Sequence, residues 1–217
     1  MRILASLLAA LAFAVSGNSV LALPISDTVI VGGKEWAQAT DFTGLSWNNI
    51  HGVCPLGVCN GTLTSDSGSW NMDGWNWASI EQVNDLFNAY LSDAGVGANN
   101  LLSGVDNYYE NNSAWAPAFL SDFFATCAPP DCDESYIVSG FIFQPNNGQA
   151  TISTVADNAL DPDRAGSTSF AVDNNLPAVV YGGWFYKAAQ APTPGTISLM
   201  VMALAGLGWT RRRKLKE

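Results

Sequence analysis

His51 is the only histidine in the chain, and it would have to act as the general base of any Ser-His-Asp or Cys-His enzyme. No Gly-x-Ser-x-Gly sequence accompanies it, and no motif fixes an acid beside it. We therefore predict that His51 is a surface or helix-capping residue and that the protein has no catalytic residues.

Acidic side chains are the second candidate for chemistry, because a glycoside hydrolase needs two carboxyl groups at a fixed separation. Eighteen acids lie between Asp27 and Asp173, but the sequence does not give the distance between any two of them. Calcium is an alternative, because two stretches without EF-hand spacing contain hard oxygen ligands: Asp131, Asp133 and Glu134, and Asp157, Asp161 and Asp163. We predict that most of these acids are solvated surface charges, and we assign no metal or cofactor.

The four cysteines form two close pairs, each with four intervening residues: Cys54 with Cys59, and Cys127 with Cys132. Four cysteines allow three pairings, and outside the cytosol disulfides are the default. A four-residue spacer that contains Pro or Gly can close locally. We expect the two local disulfides, with crossed pairing and a reduced Cys₄ zinc site as alternatives.

Four tryptophans are candidates for carbohydrate stacking: Trp70, Trp75, Trp77 and Trp115. Aromatic faces flanked by polar side chains hold sugar rings through apolar contact and hydrogen bonds. Large aromatic residues in a domain of strands and loops also form its core, and Trp75 and Trp77 would share one face of a strand. The sequence leaves both interpretations open and favours the core.

One amphipathic helix is predicted to begin after Ser79, because Ser79 and Gln82 have the spacing of a capping box. Ile80, Val83 and Phe87 would line its buried face, together with Leu86, Tyr90 and Leu91. Shorter helices are predicted at 46–50 and 117–125, and strands at 28–31, 136–143, 149–155 and 178–186. A turn at 145–148 would join the second and third strands as a hairpin.

Composition predicts one α+β domain, small, strand-rich and loop-rich, over residues 23–191. Only 13% of the 217 residues are charged, and the formal net charge is −10. Between Asp27 and Lys187 there are three basic residues against eighteen acids, a balance of about −15. So negative a body repels phosphate backbones, which excludes ordinary nucleic-acid binding.

The N-terminal residues 1–22 have the pattern of a secretory signal peptide. Arg2 precedes an uninterrupted run of apolar and small residues that ends near Val15. Val20-Leu21-Ala22 fits the small-residue rule for signal peptidase, with cleavage after Ala22. A helix over that run is roughly 20 Å long, too short for a hydrocarbon core of about 30 Å.

The C-terminal residues 192–217 have three consecutive parts. Pro192, Thr193 and Pro194 end the polar body, and residues 195–210 then carry no charge. Those sixteen residues predict a transmembrane helix of roughly 24 Å, with its ends at the bilayer interfaces. The basic cluster that follows should stay cytoplasmic and place the body on the outer side of the membrane. The cluster consists of Arg211, Arg212, Arg213 and Lys214.

This tail resembles the PEP-CTERM sorting signal of Gram-negative bacteria. Pro192 and Pro194 match the prolines of the family motif, and Thr193 stands in place of its Glu. The resemblance implies recognition by the membrane protease-transpeptidase exosortase. It also implies a surface or matrix location in a bacterium that produces exopolysaccharide.

A second resemblance covers residues 74–87, with the sequence GWNWASIEQVNDLF. The segment is similar to a block that precedes and enters the main helix of Lcl-type, C-type-lectin-like domains. Asn76 replaces the usual Arg of that block, and Gln82 stands where the family tends to have Glu. The aromatic stretch 181–186 near the end of the body also suits this fold.

These observations predict a non-catalytic cell-envelope or extracellular-matrix protein. Signal peptidase and exosortase would process it, the C-terminal helix would hold it in the inner membrane before processing, and exopolysaccharide is an expected partner. Two alternatives stay open, a carbohydrate-binding module and a secreted hydrolase.

Overall fold

The computed structural model describes residues 22–104, 107–111, 115–133, 135–144, 150–158, 162–169, 174–175 and 179–189. The predicted signal peptide before Ala22, the turn at 145–148 and the entire tail at 192–217 lie outside these residues. Within the described ranges, none of the helices has the length and apolar character needed to cross a bilayer.

The described chain forms an α+β domain with more strand than helix. The helices are α1 (Trp47–Val53), α2 (Ile80–Asp93) and α3 (Trp115–Asp122), and single 3-10 turns occur at Ala39–Phe42 and Ala98–Asn100. The first six strands are β1 (Thr28–Val31), β2 (Lys34–Ala37), β3 (Thr62–Ser65), β4 (Gly68–Asn71), β5 (Asn76–Trp77) and β6 (Asn107–Asn111). The others are β7 (Ser135–Ile142), β8 (Thr151–Asn158), β9 (Asp163–Ser169), β10 (Gly182–Gly183) and β11 (Phe185–Ala188).

The strands form two larger sheets and one separate hairpin. The first sheet has the order β1-β2-β11-β5, and all of its pairs are antiparallel. The second sheet has the order β10-β7-β8-β9-β6, in which only the short β10–β7 pair is parallel. Strands β3 and β4 pair with each other, and Trp70 of β4 forms a bridge with Leu23.

The strand predicted at 178–186 is wrong as a single element. The chain pairs with β7 at Gly182 and Gly183, and then pairs with β2 and β5 from Phe185 onward. Trp184 lies at the crossing between the two sheets and is fully buried. Two short strands therefore replace one long strand, because this segment connects both sheets.

The remaining predicted helices and strands are confirmed with small shifts of their ends. Strand β1 has the predicted bounds, and β7 pairs with β8 as the antiparallel neighbour that the hairpin prediction requires. Helix α2 begins at Ile80, and the Ser79 amide donates to Gln82 Oε1 at 2.7 Å. The Gln82 amide nitrogen also donates to the Tyr186 hydroxyl, so this side chain connects the helix start to β11. Helix α3 begins earlier than predicted, with Pro117 in its first turn, where a missing amide proton is tolerated.

Two clusters of buried side chains lie on opposite sides of the crossing segment. The helix core, built from α2, α3 and the inner face of the second sheet, contains Phe87, Phe119, Phe123, Val138 and Trp184. The α1 core contains Phe42, Ile50, Cys54, Trp77 and Phe185. Trp184 and Phe185 are consecutive, so strand alternation sends one side chain into each cluster.

Candidate functional site

Both cysteine pairs form local disulfides, Cys54–Cys59 and Cys127–Cys132, which confirms the favoured pairing. No described cysteine is free. Crossed pairing and the Cys₄ zinc site are therefore wrong, because each sulfur is bonded within its own loop. We call residues 54–59 the first loop and residues 127–132 the second loop.

The first loop is attached to the edge of the first sheet. Cys59 donates its amide to the Trp75 carbonyl at 3.0 Å, and Trp77 donates to the Gly57 carbonyl at 2.7 Å. Cys54 and Cys59 are 0% and 3% exposed, whereas Leu56 between them is 81% exposed. Gly57 has φ +79° and lies against the Phe143 ring, a position that suits only glycine. The disulfide is thus part of the α1 core, and the side chain at the loop tip is in solvent.

The second loop forms one wall of a groove of about 220 Å³ that is open to solvent. Its lining consists of Cys127, Cys132, Ile137, Ser139, Ile152, Thr154, Val180 and Tyr181. None of these side chains is charged. The groove is therefore mostly apolar, with three hydroxyl groups in its lining.

Strands β7 and β8 form the floor of this groove on the face of the second sheet opposite the helices. Ser139 and Thr154 are directly opposite each other in the β7–β8 register, and their hydroxyl groups are 2.8 Å apart. Ile137 lies two residues before Ser139, and Ile152 two residues before Thr154, so all four share one face. The adjacent Val138 and Val155 point into the helix core.

The two walls are fixed to β7 by backbone pairing. Cys127 and Ile137 exchange two backbone hydrogen bonds, of 3.0 and 2.8 Å. The segment containing Val180 and Tyr181 leads into β10, which pairs with Gly140 and Phe141. A Cβ at Gly182 would lie 1.8 Å from the Ala39 carbonyl oxygen, so only glycine permits this close approach. The Tyr181 ring makes an edge contact with Phe141 at 6.0 Å between centroids.

The groove residues were not recognised in the sequence. They come from four separate segments of the chain, and the last of these, Val180 and Tyr181, lies about 25 residues beyond the others, so no single motif contains them. The available signal was the alternation of apolar and hydroxyl side chains in the strands predicted at 136–143 and 149–155. This alternation places Ile137 with Ser139, and Ile152 with Thr154, on the same face.

Known proteins give no further indication of what the groove does. Family models, curated proteins and solved structures were compared with the chain, and none matches it. The candidate site therefore depends on geometry and chemistry alone.

Three of the four tryptophans considered for carbohydrate stacking are buried. Trp75, Trp77 and Trp115 are each at most 3% exposed. Trp77 donates its indole proton to the Phe141 carbonyl at 2.9 Å, and the Lys187 ammonium lies 4.6 Å from the centre of the Trp75 ring. Their rings are occupied by core contacts and cannot stack on a sugar from solvent in this fold.

Trp70 is the one of these four that is partly exposed. Its indole nitrogen donates to the Asp41 carbonyl at 2.9 Å and to the Ser65 hydroxyl at 3.2 Å. These bonds hold the indole against the turn at Ala39–Phe42. None of the four tryptophans lies in the groove lining.

His51 lies in the last turn of α1 and stacks on Trp47, with 4.7 Å between the ring centres and 15° between the ring planes. Its side chain is half-buried. Within the described ranges, no ion pair joins His51 to an acid. The contact with Trp47 gives this side chain a packing role at the helix end.

The two acid-rich stretches do not form a cation site among the described side chains. Asp131 and Asp133 are exposed beside Cys132, and Glu134 and Asp161 lie outside the described residues. Asp163 is buried, and its carboxylate accepts the Ala116 amide at 3.4 Å. Burial, together with the charge of Asp157, raises the pKa of Asp163. In the part of the chain that the structure describes, no three His, Cys, Asp or Glu side chains converge to hold a metal.

All three basic residues of the body make local contacts. Lys187 forms an ion pair with Glu35 at 3.1 Å, and Arg164 pairs with Glu110 at 2.9 Å. The Lys34 ammonium lies 5.7 Å from the centre of the Tyr186 ring. The large acidic excess of the body therefore stays unbalanced by nearby cations, and the groove lining offers no positive group to a ligand.

Proposed function

We propose that this chain is an exported, non-catalytic protein of the bacterial cell envelope or extracellular matrix. The observation that carries the proposal is the pairing of all four cysteines in local disulfides. Disulfides form and persist in oxidising compartments outside the cytosol. The signal-peptide pattern at 1–22 and the tail at 192–217 independently predict the same destination.

The proposed processing has two steps. Signal peptidase cleaves after Ala22, and the helix at 195–210 then holds the body on the outer side of the inner membrane. Exosortase recognises Pro192, Thr193 and Pro194, and the body is transferred to the cell surface or released into the matrix. The cluster at Arg211–Lys214 acts as the cytoplasmic stop during this process.

Mass spectrometry of the mature protein tests both steps together. In a Gram-negative host that carries an exosortase, we expect the chain to begin at Leu23, to contain both disulfides and to lack the basic tail. The double variant Pro192→Ala/Pro194→Ala should keep the tail and stay in the membrane fraction. Pro117→Ala, which changes an exposed proline of α3, is the matched control and should be processed normally.

Two outcomes would contradict the proposal in different ways. Residues 1–22 still attached, together with free thiols, would refute export. A normal start at Leu23 with an intact tail in every fraction would refute sorting and indicate a permanent membrane anchor.

We further propose that the body is C-type-lectin-like. The segment 74–87 runs from β5 into α2, which agrees with the helix entry implied by its resemblance to Lcl-type domains. A crystal structure of the mature body that lacks this fold would refute the assignment.

Of the two alternatives, the secreted hydrolase has the weaker support. A glycosidase requires two carboxyl groups that face each other across a cleft, and the groove lining contains none. The carbohydrate-binding alternative is supported by the mixture of apolar and hydroxyl side chains in the groove lining. It is not supported by the four tryptophans, none of which lies in the groove.

A further inference from the structure

The groove beside the second loop combines two kinds of surface that a sugar ring requires. Ile137, Ile152, Val180 and the disulfide supply apolar contact, and Tyr181 supplies an aromatic ring. Ser139, Thr154 and Tyr181 supply hydroxyl groups. Sugar rings present C–H faces and hydroxyl groups together, so a mixed lining suits them better than it suits a purely apolar ligand.

The hydroxyl groups on the groove floor keep hydrogen-bonding capacity for a ligand. Ser139 and Thr154 share one hydrogen bond of 2.8 Å. Each hydroxyl group has one donor hydrogen and two acceptor lone pairs, so the pair retains one donor and several acceptor positions. Ser139 is buried, whereas Thr154 is partly exposed, so a ligand would reach this pair through Thr154.

The dimensions of the groove limit the ligand to one ring-sized unit at a time. Its volume of about 220 Å³ lies below the ~300–1,000 Å³ of pockets that enclose drug-sized molecules. The groove is also open to solvent, so a longer chain can continue beyond it on either side. This geometry fits one residue of a polymer better than an enclosed small molecule.

The charges around the groove favour one class of polysaccharide over another. The groove lining has no positively charged side chain. Asp131 and Asp133 are exposed on either side of Cys132, at the wall that the second loop forms. An anionic chain such as a polyuronate would be repelled by these acids and by the acidic excess of the body. A neutral chain meets no such penalty.

We infer that this groove binds one sugar residue of a neutral polysaccharide through the Tyr181 ring and the Ser139–Thr154 hydroxyl pair. The inference names a partner for the proposed envelope role, but it concerns the folded body and does not require sorting by the tail.

Methyl NMR of the full chain in detergent micelles tests the inference directly. The isoleucine δ-methyl groups are labelled with ¹³C, and laminarin, dextran and arabinogalactan are added separately as neutral probes. We expect saturable shifts at Ile137 and Ile152 with a neutral probe. Ile30 is 69% exposed on β1 of the other sheet, so its signal should stay fixed. Alginate, the anionic probe, should produce much smaller shifts.

Three results would overturn the inference. The first is no shift at Ile137 or Ile152 with any of the neutral probes. The second is equal or stronger binding of alginate. The third is a shift of these two signals on changing the protein concentration without sugar, because that would assign the groove to a second copy of the chain.

Variants identify the contacts that matter. Tyr181→Ala should weaken binding of the active probe at least tenfold. Tyr181→Phe and Thr154→Val each remove one hydroxyl group with little change of shape, and each should weaken binding about fivefold. Tyr136→Ala is the matched control, because Tyr136 is exposed on β7 but alternates to the opposite face from Ile137. Unchanged affinity in Tyr181→Phe and Thr154→Val together would refute the hydroxyl contacts even if Tyr181→Ala fails to fold.

These measurements separate this inference from the proposed export. A chain that is processed normally but ignores every neutral probe keeps its envelope role and loses the sugar site. A chain that binds one of the neutral probes but retains residues 1–22 in the cell shows the reverse.

Discussion

The first and second loops have the same number of residues between their cysteines, yet their surroundings are opposite. The sulfurs of the first loop lie in the α1 core, and the loop extends the edge of the first sheet. The second loop lies on the surface, with Cys132 half-buried, and it forms a wall of the groove. The same covalent ring therefore contributes to the core in one place and shapes a candidate binding surface in the other.

The two regions also differ in their titratable groups. Asp41 precedes Phe42 of the α1 core, and burial, with the nearby charge of Asp27, raises its pKa to about 6. The groove lining has no charged side chain. A change of pH between 4 and 7 should therefore change the ionisation of Asp41 beside the α1 core and leave the charge of the groove lining unchanged.

The largest loss of stability is expected for Cys54→Ala/Cys59→Ala. Losing a ring of this size costs about 2 kcal/mol in the chain-entropy model, and removing two buried sulfurs adds a cavity penalty. We expect a total loss of about 3–4 kcal/mol in the free energy of unfolding, measured by urea denaturation at pH 7. A smaller loss of stability than in the second-loop variant would contradict the conclusion that the first disulfide belongs to the core and the second to the surface.

Cys127→Ala/Cys132→Ala should cost less, about 2 kcal/mol, because the ring-closure contribution is the same but Cys132 is partly solvated. The second-loop wall should also become mobile, so we expect weaker binding of the active neutral probe in the methyl NMR titration. The first-loop variant serves as the control at a temperature where it is still folded, and it should keep its affinity. Unchanged binding in the second-loop variant would mean that this disulfide does not shape the groove.

Asp41→Asn should have a smaller effect that depends on pH. An acid whose pKa is raised from 3.8 to about 6 in the folded state stabilises the fold below pH 4, and this contribution is lost as the pH rises through 6. The variant and the parent should therefore melt at similar temperatures at pH 4. At pH 7 the variant should be more stable by roughly 1–3 °C, a small shift because Asp41 is half exposed.

A constant difference in melting temperature between pH 4 and 7 would contradict the raised pKa of Asp41. Asp73→Asn is the matched control, since Asp73 is an acid whose side chain is exposed.

The smallest effect is expected for Leu56→Ser at the tip of the first loop. Its side chain is 81% exposed, so the free energy of unfolding should change by less than about 0.5 kcal/mol. Thermal melting at pH 7 measures this change. A loss comparable to that of the cysteine variants would show that the loop tip, and not only its disulfide, belongs to the α1 core.

Local signals in the sequence predicted the local parts of this fold. The Ser79–Gln82 spacing and the apolar face placed α2 correctly, and a spacer with Pro or Gly indicated that each cysteine pair closes on itself. These features depend on residues a few positions apart. The interactions that stabilise them are therefore made within short segments, which the sequence shows directly.

Features that depend on distant pairing were not predictable. Strand β9 (Asp163–Ser169) contains Asp and Gly, and β6 (Asn107–Asn111) begins and ends with Asn, residue types that are depleted in strands. The two strands pair with each other in the second sheet, and β9 also pairs with β8. Nothing local to Trp184 indicates that the chain changes sheets there. The groove has the same origin, because Cys127, Ile152 and Tyr181 meet only after β7 has paired with β8, with β10 and with Cys127.

Strand β11 lies between β2 and β5, which come from the first half of the chain. Its position can be filled only after nearly the whole body has been made, so the first sheet stays incomplete during synthesis. Until β11 has been made, the facing edges of β2 and β5 have no strand with which to form hydrogen bonds. A body truncated before Phe185 would therefore leave the facing edges of β2 and β5 open to pairing with another chain.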